Sequence, residues 1–364
     1  MPMSINLNFT PGDWERIERD WTRWWAGELN RPMVVMENPF VFALPSQMTR
    51  EFLLEKPIDD VLDEHQMLLE ARQFFGDAWP RWWANFGPGI IAGFLGADVH
   101  CTPDTATVWY GASERGAIED LRLRYDADNI WWRRVCDLTA RAVERWGDKV
   151  CIAHTDLGGN LDLLASFRTT ELLLLDLYDS PAEIERLVGE TTSLWIRYYD
   201  ELHDLIKPTG RGTTPWAPIW SPKRCYMLQS DFCAMISPDM FERFVLPDLA
   251  ACCAKLDNAF YHLDGPDAIR HLDMMLSIDK LAGIQWIPGD GQPHEHEWLE
   301  LLGRIRDGGK LCQVYVTAEW AQTIVKELGG RGFVFYILSF IDSQQEADDL
   351  LSLLASEDSN RWET

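Results

Sequence analysis

No uncharged apolar run in the sequence reaches the roughly eighteen residues that crossing a bilayer requires. The first thirty residues hold no basic stretch leading into an apolar one. Neither anchoring nor export is expected, and the chain reads as cytoplasmic. Basic residues are also scarce: 33 Lys and Arg against 58 Asp and Glu leave a formal charge of −25. Such a surface repels phosphate backbones and anionic headgroups, which argues against nucleic-acid and membrane partners. The eight cysteines form no CxxC pair and fall well short of the density of a disulfide scaffold. Reduced thiols, most of them small core residues, are therefore expected. Neither GxGxxG nor GxxxxGK occurs, so the glycine turns that hold a nucleotide at a strand end are missing.

What is present is apolar bulk, and above all tryptophan. Hydrophobic residues make up 46% and charged residues 25% of 364, the balance of a folded protein of two domains or one large barrel. The 18 tryptophans bring large contact areas, either to a core or to a pocket for a flat ligand. Between Asp13 and Leu29, Trp14, Ile17, Trp21, Trp24 and Trp25 recur at helical spacing and predict one aromatic helix face, packed on the core. Met33–Met36 reads as a strand, and Glu51–Gly76 as a helical stretch broken at Pro57. From Val150 onward, short β-rich runs alternate with capped amphipathic helices. The runs are 150–153, 259–262, 281–287, 311–316 and 332–338; the helices open at Ser180-Pro181, Ser237-Pro238, Thr317 and Asp342. Glu183 and Gln345 are placed to complete capping boxes. This alternation predicts parallel strands with helical crossovers, and the length favours an α/β fold of the (β/α)8 TIM-barrel type. The expected division is an N-terminal helical extension over 1–30, a single barrel over 31–358 and a tail over 359–364.

In such a barrel the residues just past each strand share one mouth. Those positions hold Asn85 in NFGPG, His154 and Asp156 in HTDLGG, Trp216 and Trp220 in TPWAPIW, and Asp231 in SDF. His262 and Asp264 in YHLDG, Gln285 and Trp286 in IQWIPGDG, and Thr317 in VYVT complete the set. Each His-x-Asp pair is spaced to share a strand face, as an acid/base couple or as half of a metal site, and zinc accepts both ligand types. Asp156, Asp231, His262 and Asp264 are accordingly the candidate catalytic groups, with His262 and Asp264 as candidate metal ligands. Asn85, His154, Arg168, Trp216, Trp220, Gln285, Trp286 and Thr317 are the candidate substrate contacts. Arg168 and Asp162 read equally well as a substrate anchor or a buried structural pair. His294-Glu295-His296 reads as solvated surface.

From Asn85 to the C-terminus, about three-quarters of the chain, the motif order resembles the uroporphyrinogen decarboxylase superfamily. The passages are NFGPGIIAGFLGADVHCTPDTATVWYG, GGNLDLLASFRTTELLLLDLYDSPAEIERL, SDFCAMISPDMFERFVLPDL and YHLDGPDAIRHLDMM. The resemblance implies the same barrel and one of two chemistries. Decarboxylases of the superfamily carry an arginine-rich loop after the first strand for a polycarboxylate; ENPFVFALP stands there instead, leaving Arg168, Lys223 and Arg224 as substitute cations. In the branch that moves methyl groups between a corrinoid protein and a thiol, His262 matches a zinc-binding histidine. The next ligand position holds Asp264 where that branch has cysteine, the last strand GFVFYILSF has no cysteine, and Cys312 lies on an earlier strand. This branch implies a divalent metal such as zinc, a methylated corrinoid as co-substrate and a corrinoid protein as partner, and it leaves room for a homodimer.

Three readings follow: a methyltransferase or demethylase with a tryptophan-lined pocket formed by Trp216, Trp220 and Trp286; a metal-independent decarboxylase using buried Asp156, Asp231 or Asp264; and a non-catalytic ligand-binding barrel. Carboxylates concentrated at strand ends cost stability when buried, which favours the two enzymatic readings.

Overall fold

The computed structural model describes residues 4–39, 44–111 and 116–360, with side chains described up to 356. The strands are β1 (Met33–Asn38), β2 (Gln73–Gly76), β3 (Arg81–Trp82), β4 (Asp98–Thr102), β5 (Thr107–Gly111), β6 (Cys151–Ile152) and β7 (Cys225–Gln229). They continue with β8 (Asn258–Asp264), β9 (Leu281–Ile287), β10 (Leu311–Val316) and β11 (Phe333–Ile337). A seven-stranded sheet runs β2-β1-β11-β10-β9-β8-β7; β3 pairs with β6, and β4 with β5. Every pairing in the large sheet is parallel except that of β1 with β2. The fold is thus mixed α/β with a mostly parallel sheet. Among the described residues the ladders form this sheet and two separate pairs, not one continuous eight-stranded ring.

The strands read as nearly unbroken apolar runs because helices cover the sheet and leave little room for an alternating polar face. All six residues of β1 and all five of β11 are buried. Long amphipathic helices form the outer layer, notably Ile130–Trp146 and Pro181–Ile206, each with its apolar face inward. No described helix is long and apolar enough to cross a membrane. All eight cysteines are free thiols.

The N-terminal helix Pro11–Trp25 begins at a capping box between Thr10 and Asp13 and buries Trp14, Ile17, Trp21 and Trp24. The Trp21 indole donates to the Asp77 carbonyl at 3.1 Å, that of Trp25 donates to the Trp220 carbonyl at 2.8 Å, and Trp24 stacks near Phe260. These partners lie where strands begin, so the helix covers the end of the sheet opposite the strand C-termini.

Three local expectations are corrected. Residues 73–76 form an antiparallel edge strand on β1 instead of extending the preceding helix, which ends at Ala71. The Ser180–Glu183 capping box does not form: Ser180 donates to Glu119, and Glu183 is taken by Arg186. The last helix spans Gln344–Asn360, with Ser343 accepting from the Glu346 amide and Glu346 reaching back to the Asp342 amide. Its cap therefore lies one residue beyond the Asp342–Gln345 box. The expected tail begins inside this helix, and 361–364 lie outside the described residues.

Candidate active site at the strand ends

Four polar side chains occupy one level of the sheet. Gln229 on β7 is in register with His262 on β8, His262 with Gln285 on β9, and Gln285 with Gln313 on β10. Three of them form a chain with a fixed direction. The Pro218 carbonyl can only accept, so the Gln313 amide nitrogen faces it, at 2.9 Å. Gln313 Oε1 then accepts from Gln285 Nε2 at 2.8 Å, and Gln285 Oε1 faces His262 Nδ1 at 2.5 Å. An oxygen at that end makes Nδ1 the protonated nitrogen and leaves the Nε2 lone pair free. Nε2 lies 3.9 Å from Asp264 Oδ2.

Asp231 opens the turn Asp231–Met235 that follows β7. Together Asp231, His262 and Asp264 each offer one ligand atom within 4.8 Å of the others. Two carboxylates and one imidazole make a hard, anionic donor set suited to a divalent first-row ion. The residues fit such an ion, and the amide chain behind His262 is the outer-shell support that metal-binding histidines commonly have. The Trp216 ring meets His262 edge-on at 5.3 Å.

Two more aspartates surround this cluster. Asp162 accepts from the backbone amides of Asp231 and Phe232 at 2.9 and 2.7 Å and so fixes the turn that carries Asp231. Burial and the Asp231 charge push its carboxyl upward. Asp156 accepts from the Gly158 amide at 3.0 Å, and burial, reinforced by Asp231, pushes it up to about 7. Asp156 and Asp162 sit on either side of Gly158-Gly159. A Cβ on Gly158 would lie 2.6 Å from Gly89 Cα, and one on Gly159 would lie 1.9 Å from the Gln229 carbonyl. The loop can approach β7 this closely only without side chains.

Two cavities flank the cluster. An open groove of about 510 Å³ is walled by Asp162, Asp231, Phe232 and Trp109. A cleft of about 100 Å³ is walled by Asn85, Trp216, Trp82, Trp83, Tyr315 and Tyr336, with Glu37, Arg72 and Arg81 among them. Asn85 and Trp216 thus line a cavity, Asp156 and Asp231 share one electrostatic neighbourhood, and Gln285 orients His262.

The remaining expected contacts fall elsewhere. His154 is fully buried and stacks on Tyr199 at 4.5 Å; among the described residues neither ring nitrogen has a hydrogen-bond partner, and burial pushes it down to about 3. It forms no couple with Asp156, because β6 ends at Ile152 and the two-residue alternation of a strand stops before them. Arg168 makes a two-pronged pair with Asp176 at 2.6 and 3.0 Å, so it is a structural group and does not pair with Asp162. Trp220 donates to the Arg211 carbonyl, and Trp286 is buried against Trp298 at 5.0 Å; of the three expected pocket tryptophans only Trp216 reaches the cleft. Thr317 caps the helix Ala318–Leu328 by accepting from Trp320. Arg224 is paired with Asp200. His294 and His296 pack against Trp320 at 4.2 and 4.7 Å. Sequence reading missed Glu37, Arg72, Arg81 and Gln313. Charged residues beside apolar strands and a glutamine in the middle of LCQVYV are the signals that mark them.

No protein-family model and no curated protein sequence matches the chain. Its fold is nevertheless shared with solved structures. One of these is a methyltransferase from Methanosarcina mazei, similar over 95% of this chain and 99% of that one, with a TM-score of 0.56 and 10% sequence identity. At that identity the likeness establishes the shared fold across nearly the whole chain.

Proposed function

We propose that the chain is a (β/α)8-barrel methyltransferase or demethylase of the uroporphyrinogen decarboxylase superfamily, exchanging a methyl group with a corrinoid presented by a partner protein. Closure of the barrel is supported by the order of its parallel strands. β7, β8, β9, β10, β11 and β1 follow one another without the reversal that marks a doubly wound sheet. Backbone bonds then continue from Pro80 to Cys151 and from Thr214 to His154. The observation that carries the chemical reading is the convergence of Asp231, His262 and Asp264, with His262 held in the ligating tautomer.

A bound divalent ion would supply Lewis acidity that lowers the pKa of an acceptor group. The chain's own residues do the rest. His262 and the two aspartates make a ligand set of net charge −2, and carboxylate oxygens replace the thiolates of the related branch. Trp216 shields one face of His262 from water, and Asp156, poised near neutrality, can hold or release a proton at its carboxyl. The groove at Asp231, with exposed Trp109 and Met235 on its walls, provides an approach for a large planar co-substrate.

Metal analysis of the purified protein, paired with methyl transfer followed by the absorbance of methylcobalamin, tests the reading. Stoichiometric divalent metal and corrinoid-dependent turnover are expected, both lost in His262→Ala. Metal-free protein without affinity for added zinc or manganese, and without corrinoid-dependent turnover, would overturn it. A metal-independent decarboxylase is the second reading, favoured by the raised Asp156 carboxyl; carbon dioxide release that survives chelation would select it.

A further inference from the structure

The cleft beside Trp216 carries a charge pattern that the proposed chemistry does not use. In a protein of net charge −25, its walls hold two arginines and one carboxylate. Glu37 is shared, with one oxygen accepting from Arg81 and the other from Arg72 at 3.1 Å. His65 lies on the same walls and stays neutral, because burial pushes it down to about 4. The described walls therefore retain one uncompensated positive charge in a half-enclosed apolar setting.

Hydrogen-bonding capacity is left over as well. Among the described residues, Arg72 Nε and Trp82 Nε1 are buried donors without partners. A buried guanidinium donor without an acceptor is costly, and a native protein tolerates one where a ligand or water completes it. The other walls are flat and aromatic, with Trp82, Trp83, Trp216 and Tyr315 lining the cleft. The cleft also connects to the reactive cluster. Trp216 on its wall meets His262 edge-on, and Tyr315 lies two residues along β10 from Gln313, which belongs to the amide chain that orients His262.

We propose that this cleft is the anion subsite of the enzyme: Arg72 and Arg81 bind the carboxylate of a small aromatic acid whose ring lies among the tryptophans. Arginine matches a carboxylate with paired donors, and the aromatic walls select a flat apolar body. This names the substrate class of the proposed methyl-transfer site, and so rests on that reading for where the reactive end of the acid lies. Binding itself does not require turnover.

Calorimetric titration with 4-methoxybenzoate and its uncharged analogue 4-methoxybenzamide tests the subsite. The acid is expected to bind at least about tenfold more tightly than the amide, because the amide lacks the charge that pairs with arginine. Arg72→Gln should weaken binding of the acid by a similar factor, whereas Glu37→Gln should tighten it by removing the internal competitor. The opposite signs separate a ligand-binding role from a purely structural ion network, and thermal melts confirm that each variant is folded. Equal binding of acid and amide, no binding to folded protein, or weakening by both substitutions would overturn the proposal. Binding of the acid without methyl transfer would sink the catalytic reading and leave the subsite standing. Metal loading and corrinoid-dependent turnover without acid binding would do the reverse.

Discussion

Asp156 and Asp162 both hold their protons more tightly than an ordinary aspartate, for the same reason: a carboxylate enclosed by protein and facing Asp231 loses hydration and gains a like charge. For Asp156 the folded-state value of about 7 lies above the usual 3.8. The native state therefore binds the extra proton between those values. Its stabilising contribution is complete below the lower value and lost as pH rises through the upper one. Asp156→Asn, which keeps an oxygen for the Gly158 amide, should show a melting temperature that gains on the parent protein by several degrees between pH 5 and pH 8. A constant difference across that range would mean that Asp156 titrates normally. His154 and His65, pushed down to about 3 and about 4 by burial, act in the opposite sense and destabilise the fold as pH falls below the normal histidine range. At the same scale, Gln313→Leu interrupts the amide chain that sets the His262 tautomer without touching a ligand atom. It should weaken zinc binding by roughly 10- to 100-fold in a chelator competition, the usual effect of losing outer-shell support. An unchanged affinity would show that His262 needs no such orientation.

Among the elements, the loop after β6 does the most to build the site. It carries Asp156 and leads through Gly158-Gly159 into the helix Asn160–Arg168, and its closeness to β7 lets Asp162 in that helix's first turn cap the turn that presents Asp231. Gly159→Ala would set a methyl group against the Gln229 carbonyl, a contact that backbone movement alone can relieve. Destabilisation of about 1–3 kcal/mol in urea unfolding is expected, typical of overpacking, with reduced activity from the displaced turn. A variant as stable as the parent would mean that the loop does not need this approach. The helix openings show how local rules compete: Ser180 and Glu183 have the right spacing for a box, but Glu119 and Arg186 offer partners that sequence spacing alone cannot anticipate.

For the whole molecule, the N-terminal helix is part of the core. Trp14, Ile17, Trp21 and Trp24 are each at most 3% exposed, and Arg31 ties Asp20 to Asp77 beneath β1. Burying such side chains contributes roughly 1.5–3 kcal/mol each, so four of them rival the roughly 5–15 kcal/mol net stability of a folded domain. A chain starting at Arg31 should lose cooperative unfolding by circular dichroism and aggregate. A soluble, cooperatively folding truncation would show that residues 31 onward close their own core.

The sequence by itself determined the elements that local forces decide. The runs at 281–287 and 311–316 are strands with those bounds, and Ser237 and Thr317 cap helices, because apolar periodicity and hydroxyl capping act over a few residues. It also marked His262, Asp264 and Asp231 as candidates, since polar groups at the ends of apolar strands are conspicuous. Only the tertiary structure decided what those residues meet. Register placed Gln313 two strands from His262 and joined them through Gln285, folding sent His154 and Trp286 into the interior, and Glu37 gathered Arg72 and Arg81 across 35 and 44 residues of chain. Hydrogen bonds and charges act through space, and distance along the chain carries no record of which distant groups the strand order will bring within their range.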